Sequence, residues 1–284
     1  MSLTSSGQAV QTNQQTGSGS ASPKGMFVMK CGGSTLAALP ESFFEELGTL
    51  QRQGFEPVIV HGGGPAISDN LSKLGIETRF VNGLRYTTEE VLDVVEMVLA
   101  GTINKLIVRR IQSAGGKAIG LSGSDGSLLL AKPVAQSHEV GLVGEVTTVE
   151  AGILKGVLEL GYMPVVAPLG VTKAGQRLNI NADTAAGAVA SQLGVKQMIV
   201  VTDVPGIMRN VNGENKVLPV VTVQQTEDMI GSGEIYGGMI PKVRAAIDCI
   251  HGEVQEVVIV PGSEPKVLSR VLAGEPIGTR IVRM

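Results

Sequence analysis

Three short apolar runs in the first half of the chain end in clusters of glycines, within KCGGS (30–34), HGGGP (61–65) and GLSGSDG (120–126). The run before HGGGP consists of Val and Ile, which favour buried strands, and glycine lets the following loop approach a ligand closely. From residue 25 onward, apolar runs alternate with amphipathic segments, which is typical of a mainly parallel sheet covered by helices. We therefore predict an α/β fold in which these three strand ends meet at one ligand-binding crevice.

The composition favours a small-molecule partner. The 284 residues include 23 basic and 26 acidic side chains, a formal net charge of −3. Such a chain buries a full-sized core without a metal or disulfide scaffold, and its charge gives no general attraction to nucleic acid or an anionic membrane. Three scattered histidines and two distant cysteines form no metal-ligand pattern, and no uncharged apolar run reaches transmembrane length. We expect a cytoplasmic protein.

Two polar stretches divide the chain. Residues 1–24 are mostly Ser, Gly, Gln, Thr and Ala without an apolar period, so we expect a disordered tail. The stretch TKAGQR (172–177) is the candidate boundary between an N-terminal lobe, 25–175, and a C-terminal lobe, 176–284. The tail shows no signal-peptide pattern.

Two lysines lie beside glycine-rich loops. Lys30 ends an apolar strand directly before Gly32 and Gly33, and Lys242 follows the glycines of GSGEIYGGMIPKV at a predicted helix N-terminus. Backbone N–H groups of such loops and helix starts favour anions. Each lysine could instead be an ordinary solvated residue. The pattern favours a phosphate or carboxylate ligand.

Polar side chains recur in NINAD and NGLRYT. Asn179, Asn181 and Asp183 alternate along the chain, which predicts that they share one side of an extended segment. This side could be a solvated strand face or a substrate-binding surface. Arg85 could hold a substrate carboxylate through its guanidinium group or lie on the surface.

Several common motifs are missing from the sequence. No GxxxxGK[ST] is present, which excludes a P-loop NTPase, and no GxGxxG follows the first predicted strand, as a dinucleotide-binding fold would require. The HGGG string also occurs as the oxyanion loop of lipases and esterases, but those enzymes need GxSxG. The nearest string here, SGSDG, has serine in its first position, so a serine hydrolase is disfavoured.

Seven segments, in order, resemble the amino acid kinase family: KCGGS, VIVHGGGP, NGLRYT, LAGTINK, NINAD, TDVPGI and GGMIPKV. The resemblance runs from about residue 26 to the C-terminus, and NGLR and NINAD are its more specific parts. It implies an open three-layer αβα sandwich with a mainly parallel central sheet. It also implies ATP-dependent phosphorylation, with Mg²⁺, of the side-chain carboxylate of N-acetyl-L-glutamate in arginine biosynthesis. Alternatives are a related carboxylate, such as a carrier-linked aminoadipate, or a silent ligand-binding module of this fold.

The resemblance implies a role for each matched residue. Lys30 and Lys242 would neutralise charge on the transferring phosphoryl group, and Asp183 would orient them. The matched substrate-binding residues are Gly63, Gly64, Arg85 and Asn179. The matched nucleotide-binding residues are Gly32, Gly33, Thr202, Asp203, Gly206, Ile207, Gly237 and Gly238. No protein metal ligand is implied, because phosphate oxygens and water would hold Mg²⁺.

Three further expectations follow from this resemblance. The attacking carboxylate is ionised at neutral pH, so no general base is needed and His61 is left with a structural role. Cys31 stands where leucine is usual in the family, and we expect it to pack as a small hydrophobic residue. Arginine-inhibited members build hexamers through an amphipathic N-terminal helix. The tail lacks such a period, so we expect an arginine-insensitive homodimer.

Overall fold

A computed structural model describes residues 25–211, 213–252 and 254–283, so the predicted tail, 1–24, lies outside the described residues. The described strands are β1 (Gly25–Cys31), β2 (Phe55–His61), β3 (Phe80–Val81), β4 (Leu84–Arg85), β5 (Ala118–Ser122), β6 (Leu129–Pro133), β7 (Val143–Val149), β8 (Met163–Ala167), β9 (Leu169–Val171), β10 (Arg177–Ile180), β11 (Gln197–Thr202), β12 (Met208–Val211), β13 (Glu214–Val217), β14 (Val220–Thr222), β15 (Glu256–Pro261) and β16 (Thr279–Val282).

The helices are distributed along the whole described chain. They are α1 (Gly33–Ala38), α2 (Glu41–Arg52), α3 (Gly64–Lys73), α4 (Glu89–Glu96), α5 (Asn104–Ser113), α6 (Ser137–Val140), α7 (Ala151–Glu159), α8 (Ala182–Leu193), α9 (Val223–Gly231), α10 (Met239–His251) and α11 (Val267–Leu272). A π-helical segment, Met97–Ile103, joins α4 to α5, and a short 3₁₀ helix, Asp125–Ser127, follows β5. None of the helices in these residues is long and apolar enough to cross a bilayer.

The central sheet is mainly parallel, as predicted. Its eight strands run in the order β14, β16, β15, β11, β1, β2, β8, β5. All neighbours pair in parallel except β15 with β16. Because β1 lies between β2 and β11, the sheet extends from β1 in both directions, and a crevice is expected at the carboxyl ends of these strands.

Both faces of the sheet are covered, which explains the alternation of buried side chains along β1. Phe27, Met29 and Cys31 belong to a core cluster with residues of α2, α3, α4, α5 and α11. Val28 belongs to a second cluster with residues of α7, α8, α9 and α10, and Lys30 extends from the same face. The predicted three-layer αβα sandwich is confirmed. Cys31 packs in the core, as predicted, and burial raises the pKa of its thiol to about 12.

Smaller sheets flank the central one. Strands β6, β7, β9 and β10 form a closed four-stranded sheet. The predicted lobe boundary, 172–177, spans the turn of the β9–β10 hairpin, where the N–H of Thr172 donates to the carbonyl oxygen of Gln176 at 2.9 Å. The division into two lobes stays a prediction, although the boundary residues lie within the antiparallel pair of β9 and β10.

Candidate functional site

A first cavity of about 280 Å³ opens at the carboxyl ends of β1, β2 and β11. The loops after β1 and β2 pack directly against each other along its wall. The N–H of Gly62 donates to the carbonyl oxygen of Cys31 at 2.9 Å, and a Cβ on Gly33 would lie 2.6 Å from the Cα of Gly63. The glycines therefore allow two backbones to approach at a distance that no side chain would permit.

The third glycine cluster does not reach this cavity, so the prediction of three converging strand ends is wrong for GLSGSDG. Its strand, β5, is an edge strand separated from β1 by β2 and β8. A Cβ on Gly123 would lie 1.9 Å from the carbonyl oxygen of Leu169. That glycine serves packing against β9, and sequence alone could not distinguish packing from ligand binding.

Replacing Gly33 with alanine should lower the free energy of unfolding by about 2 kcal/mol, because the new methyl group would push the two glycine loops apart. Gly64→Ala is the matched control, since no atom lies within 4 Å of a Cβ built there. Urea unfolding of both variants measures the difference. Equal stability of the two variants would contradict the packing role of Gly33.

A buried ion pair lies on the floor of the first cavity. Lys30 Nζ is 2.7 Å from Asp183 Oδ1, and the two side chains are 6% and 15% exposed. Asp183 lies in the first turn of α8, where Asn181 Oδ1 accepts hydrogen bonds from the N–H groups of Asp183 and Thr184 at 2.8 and 3.2 Å. The predicted extended segment is therefore wrong beyond Ile180, because Asn181 is a helix N-cap.

Arg85 reaches the first cavity from the β3–β4 hairpin. The hairpin turns at Asn82 and Gly83, whose φ angles of 50° and 82° suit a tight Asn-Gly turn. Arg85 donates to the carbonyl oxygen of Gly64 at 3.0 Å and to Ser68 Oγ at 2.8 Å. Burial lowers the pKa of its guanidinium group, and no carboxylate of the described residues forms an ion pair with it. Such a cation suits an anionic ligand.

The first cavity gathers most of the predicted catalytic and substrate residues. Its lining includes Lys30, Gly32, Gly33, Gly63, Gly64, Arg85, Asn179, Asp183, Thr202, Asp203 and Lys242. Gly32 and Gly33, which the resemblance assigned to the nucleotide, line this cavity and not the second one described next. Their nucleotide contacts stay a prediction.

A second cavity of about 630 Å³ adjoins the first. Thr202, Asp203 and Lys242 line both cavities. The second cavity is also lined by three predicted nucleotide residues, Gly206, Ile207 and Gly238. Gly237, another predicted nucleotide residue, directly precedes Gly238 but does not line the second cavity.

Lys242 lies where the two cavities meet. It belongs to the first turns of α10, which begins at Met239, and its Nζ donates to the carbonyl oxygen of Gly238 at 3.1 Å. In the described part of the chain it forms no ion pair, so the structure joins Asp183 to Lys30 but not to Lys242. Orientation of Lys242 by Asp183 stays a prediction.

His61 lies beneath the glycine loops and is fully buried. Its Nδ1 is 3.1 Å from the carbonyl oxygen of Gly62, and its Nε2 is 3.2 Å from Asn104 Nδ2, which also donates to the carbonyl oxygen of Val165 at 2.8 Å. Burial lowers the pKa of His61 to about 4, so the ring is neutral at physiological pH. A structural role therefore fits His61. Asn104, a polar residue within an apolar period, was not identified as its partner from sequence.

Acid should destabilise the protein partly through His61. The folded pKa is about 4 and the ordinary value is 6.5, so the unfolded chain takes up the proton first as the pH falls. We expect the His61 contribution to decrease by about 2 kcal/mol between pH 7.5 and pH 5. Urea unfolding of the wild type and His61→Gln at both pH values measures it, because the other titrating groups are shared. An unchanged difference between the two proteins would contradict this prediction.

Comparison with known proteins gives consistent matches. The model of the amino acid kinase family matches residues 25–261. An acetylglutamate kinase of Brevibacillus brevis is 47% identical over 260 residues, which cover 91% of this chain and 97% of that protein. An acetylglutamate kinase of Halalkalibacterium halodurans is 48% identical, with 89% and 95% covered.

Solved structures agree. The protein smu.665 of Streptococcus mutans has a TM-score of 0.80 at 30% identity, with 91% of this chain and 99% of that chain covered. Carbamate kinase of Giardia lamblia bound to AMP-PNP has a TM-score of 0.70 at 18% identity, with 93% and 100% covered, a likeness that concerns the fold alone.

Proposed function

The chain belongs to the amino acid kinase family, and we propose that it transfers the γ-phosphoryl group of ATP to the side-chain carboxylate of N-acetyl-L-glutamate, a step of arginine biosynthesis. The observation that carries this proposal is the junction of two cavities at Thr202, Asp203 and Lys242, with the buried pair of Lys30 and Asp183 in the first cavity. The acetylglutamate kinases that are 47% and 48% identical to the chain support the choice of acceptor.

The acceptor would occupy the first cavity. Arg85, a buried cation without a carboxylate partner in the described chain, suits a carboxylate of acetylglutamate, and Asn179 lines the same space. A Cβ on Gly64 would meet no atom within 4 Å, so the backbone there can lie against the bound molecule, whereas a Cβ on Gly63 would lie 2.5 Å from the side chains of Leu99 and Ile103. The side-chain carboxylate then points toward the junction of the cavities.

Catalysis would be electrostatic. The attacking carboxylate is already ionised, so the reaction requires no base, and the buried, neutral His61 is consistent with that. The obstacle is the approach of one anion to the polyphosphate chain of another in a site that excludes water. Lys30 and Lys242 offset this repulsion by stabilising the negative charge of the phosphoryl group during transfer, and Asp183 holds Lys30 in place.

The nucleotide would occupy the second cavity, where Gly206, Ile207 and Gly238 line the wall. We also place Thr202, Asp203, Gly237, Gly32 and Gly33 near its phosphates. Bound Mg²⁺ would neutralise phosphate charge. We propose that phosphate oxygens and water supply most of its ligands, as is common for Mg²⁺ at nucleotide sites. Asp203 is the carboxylate that lines both cavities and could contact it through water.

Residues 25–175 would then form the lobe that mainly binds acetylglutamate, and residues 176–284 the lobe that binds ATP. Asn179 and Asp183 belong to the second segment and complete the first cavity. An arginine-insensitive homodimer in the cytoplasm remains our expectation. Sedimentation of the purified chain and an assay with added arginine test these two properties.

An acyl-phosphate assay tests the proposed function. We expect hydroxylamine to trap a hydroxamate when the protein is incubated with Mg-ATP and N-acetyl-L-glutamate. Product with an aminoadipate derivative but not with N-acetyl-L-glutamate would favour the alternative kinase. If the protein binds ATP but forms no product with either carboxylate, it is a silent ligand-binding module and the proposal is overturned.

A further inference from the structure

Thr87 is a fully buried polar residue that hydrogen-bonds to both predicted acceptor-binding residues, to the backbone of Arg85 and to the side chain of Asn179. Its Oγ1 lies 2.7 Å from the carbonyl oxygen of Arg85 and 3.2 Å from Asn179 Nδ2. Arg85 and Asn179 come from distant parts of the chain and line the same cavity. One hydroxyl group therefore joins the two elements that hold these side chains.

The direction of these hydrogen bonds is fixed by chemistry. The carbonyl oxygen of Arg85 can only accept, so the hydroxyl proton of Thr87 is donated to it. The lone pairs of the hydroxyl oxygen then remain for Asn179, which must turn its NH₂ group toward Thr87. The amide oxygen of Asn179 consequently points away from Thr87. The chain of hydrogen bonds thus sets the orientation of the amide as well as its position.

The backbone of Thr87 is held equally closely. Its N–H donates to the carbonyl oxygen of Val140 at 2.9 Å, and its carbonyl oxygen accepts from the N–H of Leu142 at 2.8 Å. The carbonyl oxygen of Leu142 in turn accepts from the N–H of Asn179 at 2.9 Å. A Cβ on Gly141 would lie 2.3 Å from the carbonyl oxygen of Thr87. The segment 140–142 therefore holds both Thr87 and Asn179 through main-chain hydrogen bonds.

We propose that Thr87 is a positioning residue that couples Arg85 to Asn179 and organises the acceptor-binding half of the first cavity before the acceptor binds. The inference rests on the proposed function, since it assumes that both side chains contact acetylglutamate. Thr87 does not line the cavity and acts only through these two residues. It does not line the second cavity either, so its effect should be confined to the acceptor.

The kinetic test compares Thr87→Val with Thr87→Ser. Valine keeps the shape of threonine and removes the hydroxyl group, whereas serine keeps the hydroxyl group. Thr87→Val removes both hydrogen bonds of the hydroxyl group. We expect it to raise KM for N-acetyl-L-glutamate about tenfold with KM for ATP unchanged. Thr87→Ser should restore most of the affinity. Unchanged KM in Thr87→Val, or equal impairment of both variants, would overturn the proposal.

Thr88→Val is the matched control for general destabilisation. Thr88 is the exposed N-cap of α4, where its side chain accepts from the N–H of Val91. This variant should lose thermal stability through the missing cap while KM for N-acetyl-L-glutamate stays unchanged. A tenfold rise of KM in Thr88→Val would show that loosening this segment is sufficient and would count against a specific role of Thr87.

A second measurement does not depend on the identity of the acceptor. Urea unfolding of Thr87→Val, Asn179→Ala and the double variant forms a double-mutant cycle, and coupled residues should give changes that do not add. Additive changes would overturn the coupling whatever the substrate is. Absence of phosphorylation of N-acetyl-L-glutamate by the wild type would overturn the proposed function alone, because the cycle still decides the role of Thr87.

Discussion

Replacing Lys242 with alanine should lower kcat by about a thousandfold, the size of effect expected when one preorganised charge is removed from a phosphoryl-transfer site. Lys242 lines both cavities, so its ammonium group is the described cation best placed to follow the phosphoryl group between them. Its ammonium group donates to the carbonyl oxygen of Gly238, the N-cap of the same helix, and water can replace that donor. The free energy of unfolding should therefore change little.

Arg244→Ala is the control for Lys242→Ala. Arg244 is an exposed cation two residues later on α10, and it lines neither cavity. Steady-state kinetics with N-acetyl-L-glutamate and Mg-ATP should give near-normal kcat for this variant. If Lys242→Ala kept more than a tenth of wild-type kcat, or if both variants lost activity equally, the catalytic role of Lys242 would be contradicted.

The central sheet could be predicted because its strands are buried on both faces. The strands β1, β2 and β11 contain apolar runs of Val, Ile, Met and Phe, a composition that indicates burial on both faces. The β12–β13 hairpin is different, since Glu214, Asn215 and Lys216 are exposed and carry no apolar period. The start of α8 was not predicted, because its N-cap, Asn181, looked like one position in an extended segment.

Site residues could be predicted from the sequence where the side chain itself indicates a function, as a cation beside a glycine-rich turn indicates anion binding. Lys30, Arg85 and Lys242 are cations beside turns, and the family resemblance supplied their roles. Contacts between distant segments could not be derived in this way. Asn104 meets His61, and Thr87 meets Asn179, only because the fold brings separate strands and helices together. Neither Asn104 nor Thr87 has a local sequence signature that predicts its distant partner.

Replacing Lys30 with methionine should have two separable effects. The first is a loss of kcat of about a thousandfold or more, because a cation is removed from the cavity that receives the acceptor. The second is a decrease of about 3 kcal/mol in the free energy of unfolding, since Asp183 would remain largely buried without its partner at 2.7 Å. Kinetics and urea unfolding of the same preparation measure both.

The double variant Lys30→Met, Asp183→Asn separates the two effects. A neutral amide in place of the carboxylate removes the unpaired buried charge, so most of the lost stability should return, as is common when both members of a buried pair are replaced. Activity should not return, because the phosphoryl group still lacks the Lys30 cation. Recovered turnover in the double variant would mean that the pair holds the fold and that catalytic stabilisation comes from elsewhere. A stable, inactive double variant would instead show that Lys30 contributes its charge to catalysis and that Asp183 keeps that charge in place.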